Sequence, residues 1–394
     1  MSIHSYLRTR LAIQQFLIGA AGGLWSPVLA QHLLGLGFTA FQITLCVACG
    51  TIANLLTSVL AGQIADRWMA TERFLGLLAL AAGGLLIAAW SQSSFAAVGP
   101  LLLLMAVFFM PCYPLGTSMA FRHLEDPARQ FASVRIWATI GWVVGGLALT
   151  GWLRIAGAEK VGDCLLFGGV ACLIMGAYSF TLPSTPPARS ASGSAVAGAF
   201  RMLREPSFAA LLAIFFVYQA FAYFHHPYTS IFLPTAGVDP ANVSAVLTLG
   251  QIAEVGVFFV LPAVYRRLGP GKTMALGVFC WGLRYVLFAA GTPHWLMVAA
   301  VALHGPGFLF SRLAVTLYAD EVCPRDIRAS VQTLLSLVVD GAGMFAGALA
   351  SGMALRAFTV DGVSDWRTLW LIPAAGCGAV VVALLAAFRP RKIA

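Results

Sequence analysis

Five side chains of fixed charge interrupt stretches of this sequence that are otherwise apolar, small or uncharged: Arg135, Glu254, Arg284, Arg312 and Asp340. If such a stretch crosses a bilayer, an ionised group near its middle costs at least about 2.5 kcal/mol, so it pairs, titrates or lines a wet cavity. Three positive and two negative charges are close to balance, and pairing around water is their natural arrangement, because a buried charge stripped of its partner is strongly destabilising. Glu254 has the richest chemistry open to it. Desolvation favours its neutral form and a nearby arginine its charged form, so its protonation can follow a conformational change. A permanent salt bridge locking two helices is the other reading. Gln251, three residues earlier, falls on the same helical face, and a carboxyl beside a carboxamide suits a ligand rich in hydroxyls and ring nitrogens.

Arg135, Thr139 and Trp142 recur at i, i+4 and i+7 in "RIWATIGW", one stripe of a helix. Guanidinium, hydroxyl and indole there could hydrogen-bond a hydroxylated ring and stack on it. Alternatively, Arg135 sits close enough to the end of its apolar run to extend into water. His225 and His226 are adjacent, so they point about 100° apart on a regular helix, and no third ligand is evident. They read as a polar rim or a proton site, and no metal is expected.

The elements that must position these groups follow from composition. The chain has 394 residues, 60% hydrophobic and only 10% charged, whereas soluble proteins average about 25% charged. Apolar runs of about 20 residues, each long enough to cross a bilayer as helix, recur along its length. Twelve are expected, at 10-34, 39-65, 74-92, 97-121, 131-154, 162-182, 207-233, 243-265, 272-291, 294-318, 327-356 and 367-388. The fold class is therefore an all-α membrane protein, since unbroken apolar runs contradict the alternating strands of a barrel.

The net charge of +9 is explained by topology. Lys and Arg concentrate in the termini and connections of one side, among them Arg8, Arg10, Arg67, Arg266, Arg267 and Arg389. That bias places both termini in the cytoplasm and removes nucleic acid as a partner. The eight cysteines are scattered along the apolar runs; Cys46 and Cys49 form a lone CxxC with no second pair to complete a metal site, and no phosphate-binding loop or nucleophile-base pair stands out. Neither an enzyme nor a cofactor is expected.

One long break in the apolar pattern, within 183-206, is rich in Pro, Ser, Ala and Gly. It separates six spans from six: a first bundle at 1-182 and a second at 207-394. The halves echo each other. "ASVRIWATIGWVVGG" opens the fifth span and "ASVQTLLSLVVDGAGMFAG" the eleventh, each followed by a small-residue pair, Gly141/Gly145 and Gly343/Gly347.

Six plus six spans, a cytoplasmic linker and the connection Gly62-Gln63-Ile64-Ala65-Asp66-Arg67 after the second span resemble the major facilitator superfamily. Within it, "ADRW", "RIWATIGW", "GQIAE", "WGLRYVLFAAG", "LHG" and "CPRDIRASVQ" look like the nucleoside:proton symporter family. The resemblance implies two six-helix bundles of the major facilitator fold rocking about a central site, with Gly62, Asp66 and Arg67 as a gating loop. It implies import of a nucleoside or similar hydroxylated solute with protons across a bacterial inner membrane, by a protein acting as a monomer in the lipid bilayer. Symport of an aromatic acid or sugar, export, and a receptor without transport are the alternatives.

The same resemblance makes Arg135, Thr139, Trp142, Gln219, Gln251, Glu254 and Phe308 candidate solute contacts. Two departures stand out. Ala222 occupies a position where the family carries asparagine, and Leu309 follows Phe308 where it carries an acid. Asp340 in the eleventh span is the compensating acid, paired with Arg312, so either Glu254 or Asp340 carries the proton. Arg284 is a second charge partner, able to hold either acid.

Overall fold

The computed structural model describes residues 3–187, 202–324, 327–360 and 362–389. Apart from a two-residue hairpin, Thr359–Val360 against Val363–Ser364, its regular structure is helical. Ten helical stretches among the described residues are long and apolar enough to cross a membrane. In chain order the helices are α1 (Tyr6–Gly35), α2 (Ala40–Arg67), α3 (Thr71–Trp90), α4 (Phe95–His123), α5 (Gln130–Ala156) and α6 (Ala158–Ser179). After the linker come α7 (Pro206–Thr235), α8 (Pro240–Ala290), α9 (His294–Val322), α10 (Ser330–Ala357) and α11 (Trp366–Ala386).

Local signals set several of these boundaries. Thr39 and Gln42 form a reciprocal capping box at the start of α2, each side chain accepting from the other's backbone N–H. Asp239 and Asp365 accept backbone N–H groups at the starts of α8 and α11, and Pro206 opens α7 where its missing N–H costs nothing. The runs expected at 243-265 and 272-291 are continuous except at Gly269, whose φ of 75° breaks the helix. Glycine reaches that left-handed conformation without a Cβ penalty, and Pro270 follows it.

The chain divides into two compact units, Met1–Ser190 with Leu233–Thr248, and Ala191–Phe232 with Leu249–Ala394. Most of the linker expected at 183-206 lies outside the described residues. Its first residues are stitched to the ends of α3 and α4. Thr185 N–H donates to the Glu72 carboxylate at 2.8 Å, Thr71 N–H donates to the Thr185 carbonyl at 3.0 Å, and His123 meets the Thr185 hydroxyl at 2.7 Å. Glu72 is only 3% exposed, so this backbone donor is part of what makes its burial affordable. In the same unit Asp163 receives the indole N–H groups of Trp90 and Trp152 at 3.1 and 3.0 Å, tying the ends of α3 and α5 to the start of α6.

Inside each unit helices meet backbone to backbone through small residues. A Cβ on Gly19 would lie 1.8 Å from the Ala138 carbonyl oxygen, and one on Gly141 would lie 2.1 Å from that of Phe16, so α1 and α5 touch where no side chain fits. The second unit repeats the device between α7 and α10. A Cβ on Gly343 or Gly347 would approach the carbonyl oxygens of Phe216 and Ala220 to 3.0 and 2.4 Å.

Candidate functional site

In the first unit the stripe on α5 passes from the surface toward the interior. Arg135 is exposed, while Thr139 and Trp142 are partly buried. Trp142 packs at Gly22 of α1, where a Cβ would lie 2.8 Å from its ring and 2.6 Å from the Tyr113 hydroxyl of α4. Tyr113 therefore joins the stripe as a further polar aromatic, one that sequence reasoning missed; its only signal was its place between Pro111 and Pro114. Of the expected gating loop, Arg67 ends α2 and is exposed, whereas the side-chain surroundings of Gly62 and Asp66 lie outside the described residues.

In the second unit Arg312 of α9 and Asp340 of α10 are joined twice. Nε donates to Oδ1 at 2.7 Å and Nη2 to Oδ2 at 2.5 Å, with side chains 16% and 21% exposed. Ser336 donates to the same carboxylate at 3.0 Å, and Arg312 Nη1 donates to the Thr316 hydroxyl. Both ions sit in π-helical turns, Leu309–Leu313 and Ser336–Gly343. Such turns are rare and concentrate at functional sites. Next to them, the Tyr218 hydroxyl of α7 meets that of Ser311 at 2.7 Å, and Gln219, buried, lies beside Gly343.

Arg284 is placed differently from the expectation that it holds an acid. It is 2% exposed, and its guanidinium lies 5.2 and 5.1 Å from the ring centroids of Trp281 and Phe288. Its Nε and Nη1 have no hydrogen-bond partner among the described residues. The reason is helical spacing: both aromatic residues are one turn away on its own helix, and the rings shield the cation on either side.

The two histidines also differ from expectation. The helix breaks at Tyr223 and Phe224, so His225 and His226 do not splay as on a regular helix, and their rings lie 4.1 Å apart. A third imidazole, His304 of α9, comes within 5.6 Å of His225, and Trp281 packs against both. No group of His, Cys, Asp and Glu among the described residues could hold a metal ion.

Gln251 and Glu254 are partly buried on α8, whose backbone closely approaches α9 here. A Cβ on Gly250 would meet the His304 side chain at 2.9 Å, and one on Gly305 would meet the Glu254 backbone nitrogen at 2.5 Å. Phe308, 38% exposed, lies parallel to the His304 ring with centroids 6.1 Å apart. The second unit thus brings Gln251, Glu254, His304 and Phe308 into one neighbourhood, and Gln219 with Arg312 and Asp340 into another.

The family model described as nucleoside H+ symporter matches residues 5–392. The chain belongs to that family. As a member of the nucleoside H+ symporter family it is a multi-pass membrane transporter and not an enzyme. Among its relatives, the putative nucleoside transporter YegT of Escherichia coli is 28% identical over 96% of this chain and 91% of its own. The xanthosine permease of the same organism is 28% identical over 92% and 91%. The crystal structure of the nucleoside transporter NupG superposes with a TM-score of 0.87 at 23% identity, covering 98% of this symporter and 100% of that chain, so the two share the major facilitator fold.

Proposed function

We propose that this nucleoside:proton symporter imports its solute across a bacterial inner membrane by alternating access, using twelve crossings in two six-helix bundles, 1-182 and 207-394, with both termini in the cytoplasm. The count of twelve takes α8 as two crossings divided at Gly269, and includes α2. The family supplies the reaction, and the relatives' shared nucleoside character supplies the solute class.

Arg135, Thr139 and Trp142 are the first unit's solute contacts, joined by Tyr113. Gln219, Gln251, Glu254 and Phe308 are those of the second. The observation that carries this reading is the neighbourhood of Glu254: an acid beside a carboxamide on α8, with an exposed aromatic ring on the adjoining α9. Carboxyl and amide hydrogen-bond hydroxyls and ring nitrogens, and the phenyl face accepts a base by stacking. Glu254 is also the acid that takes up the coupled proton. Asp340 is the weaker candidate, because both of its carboxylate oxygens are already engaged, by two hydrogen bonds from Arg312 and one from Ser336.

Thermal unfolding of the purified protein with nucleosides, sugars and aromatic acids tests the solute class, since a ligand bound only by the folded state raises apparent stability. A nucleoside-specific shift is expected. A shift with a sugar or aromatic acid and none with nucleosides would overturn the assignment.

A further inference from the structure

A buried arginine, three imidazoles and an acid-bearing helix lie in sequence within the second unit. His226 is exposed, and its ring lies 4.1 Å from His225. His225 lies 5.6 Å from His304, which abuts α8 at Gly250, one turn before Glu254. Arg284 adjoins the row through Trp281, whose ring lies 5.2 Å from the guanidinium and 4.5 and 5.3 Å from the rings of His225 and His304. Resting on the symport reading above, we propose that His226, His225 and His304 form an imidazole relay that carries the coupled proton between water and Glu254.

The chemistry is balanced at each transfer. Imidazole accepts a proton on one nitrogen and releases one from a nitrogen, leaving the ring neutral. At His225, Nδ1 lies 2.6 Å from the Ala222 carbonyl oxygen, a contact that Nδ1–H satisfies as donor and that leaves Nε2 to take and return the proton. The Tyr285 hydroxyl donates to the same carbonyl at 2.8 Å and so belongs to the support of the row. Also facing the row are two aromatic rings, Tyr223, 5.1 Å from that of His226, and Trp281, 4.5 Å from that of His225, besides Phe308 at His304. None of these is charged.

Arg284 gives the row its direction. A fixed positive charge in a poorly solvated interior disfavours a second one nearby, so a proton does not rest on the imidazoles. It moves on to a carboxylate, and Glu254 is the acid on the adjoining helix. The arrangement also accounts for an arginine buried without a counter-ion among the described residues: its charge opposes imidazolium instead of neutralising an acid.

Proteoliposomes holding an internal pH dye, with uridine, xanthosine and adenosine as probes, test the relay in the full-length protein. Positioned proton transfer contributes about 10²–10⁴-fold, so His225→Asn and His304→Asn should reduce nucleoside-driven proton entry at least about tenfold relative to nucleoside counterflow. His226→Asn, at an exposed ring, guards against loss of folding and should show the same fall in that ratio. Variants whose ratio stays within about twofold of wild type, against the 10²–10⁴-fold expected of a positioned transfer, would overturn the relay alone. Wild-type protein that moves nucleoside without protons would overturn the symport reading and the relay with it.

Discussion

Arg312 reaches Asp340 through both carboxylate oxygens, and each residue lies in a π-helical turn of its own helix. A π-turn makes one residue more than an α-turn of backbone available for the same rise, which re-aims the side chains that follow it. Two such turns at one ion pair tie the pair's geometry to the helix winding on both sides. The pair is thus a fastener between α9 and α10, and its loss should be felt in stability before transport chemistry.

Breaking the fastener from one side strands the other charge. Asp340→Asn and Arg312→Met should each destabilise the protein by about 3–5 kcal/mol, while Arg312→Met with Asp340→Leu should recover most of that loss. Thermal unfolding in detergent checks the cycle. Single variants as stable as wild type would mean that water already screens the pair.

The first-unit stripe and the polar face of α8 predict graded losses of affinity. A hydrogen bond to a charged group contributes about 1.5–3 kcal/mol and a neutral one about 0.5–1.5. Arg135→Ala should therefore weaken nucleoside binding roughly 10- to 150-fold, and Gln251→Ala roughly 2- to 10-fold. Isothermal calorimetry on folded variants reads both. Wild-type affinity in each would make these residues structural.

Backbone contact between α1 and α5 separates two glycines that look alike in the sequence. A methyl on Gly141 would overlap the Phe16 carbonyl, whereas one on Gly84 of α3 meets nothing within 4 Å. Gly141→Ala should lower the unfolding temperature, with a cost of at least about 1–3 kcal/mol from overpacking. Gly84→Ala should be neutral or stabilise by about 0.4–1 kcal/mol through lost unfolded-state entropy. Equal effects would show that α1 can withdraw from α5.

These contrasts mark how far the sequence can be read. Apolar run length exposed the helices, and the small-residue pairs Gly141/Gly145 and Gly343/Gly347 lie at real helix contacts, because both signals are local and periodic. The charge surplus at Arg312 and Asp340 was legible as a pair, since few charges in an apolar chain leave few partners. The histidine row was not. It depends on the break at Tyr223 and Phe224 and on the close approach of α8 to α9 at Gly250 and Gly305, neither of which has a periodic signature. Arg284 was misplaced for the same reason: counting charges pairs it with an acid, while its own helix surrounds it with Trp281 and Phe288. Glu72 escaped notice because it lies in a connection by composition, yet it receives the linker backbone at Thr185.

The decisive substitution is at the acid of α8. Glu254→Gln keeps the shape and one acceptor of the protonated carboxyl but can neither bind nor release a proton. If Glu254 carries the coupled proton, nucleoside exchange across a membrane should persist while accumulation driven by a pH gradient is lost. If the residue only fastened helices, the same change would strand its partner and lower the unfolding temperature instead. Counterflow, pH-driven accumulation and thermal unfolding on one preparation distinguish the two. Accumulation that survives in Glu254→Gln and fails in Asp340→Asn, with both proteins folded, would move the proton site to α10, and the π-turn pair would then have to open in every transport cycle.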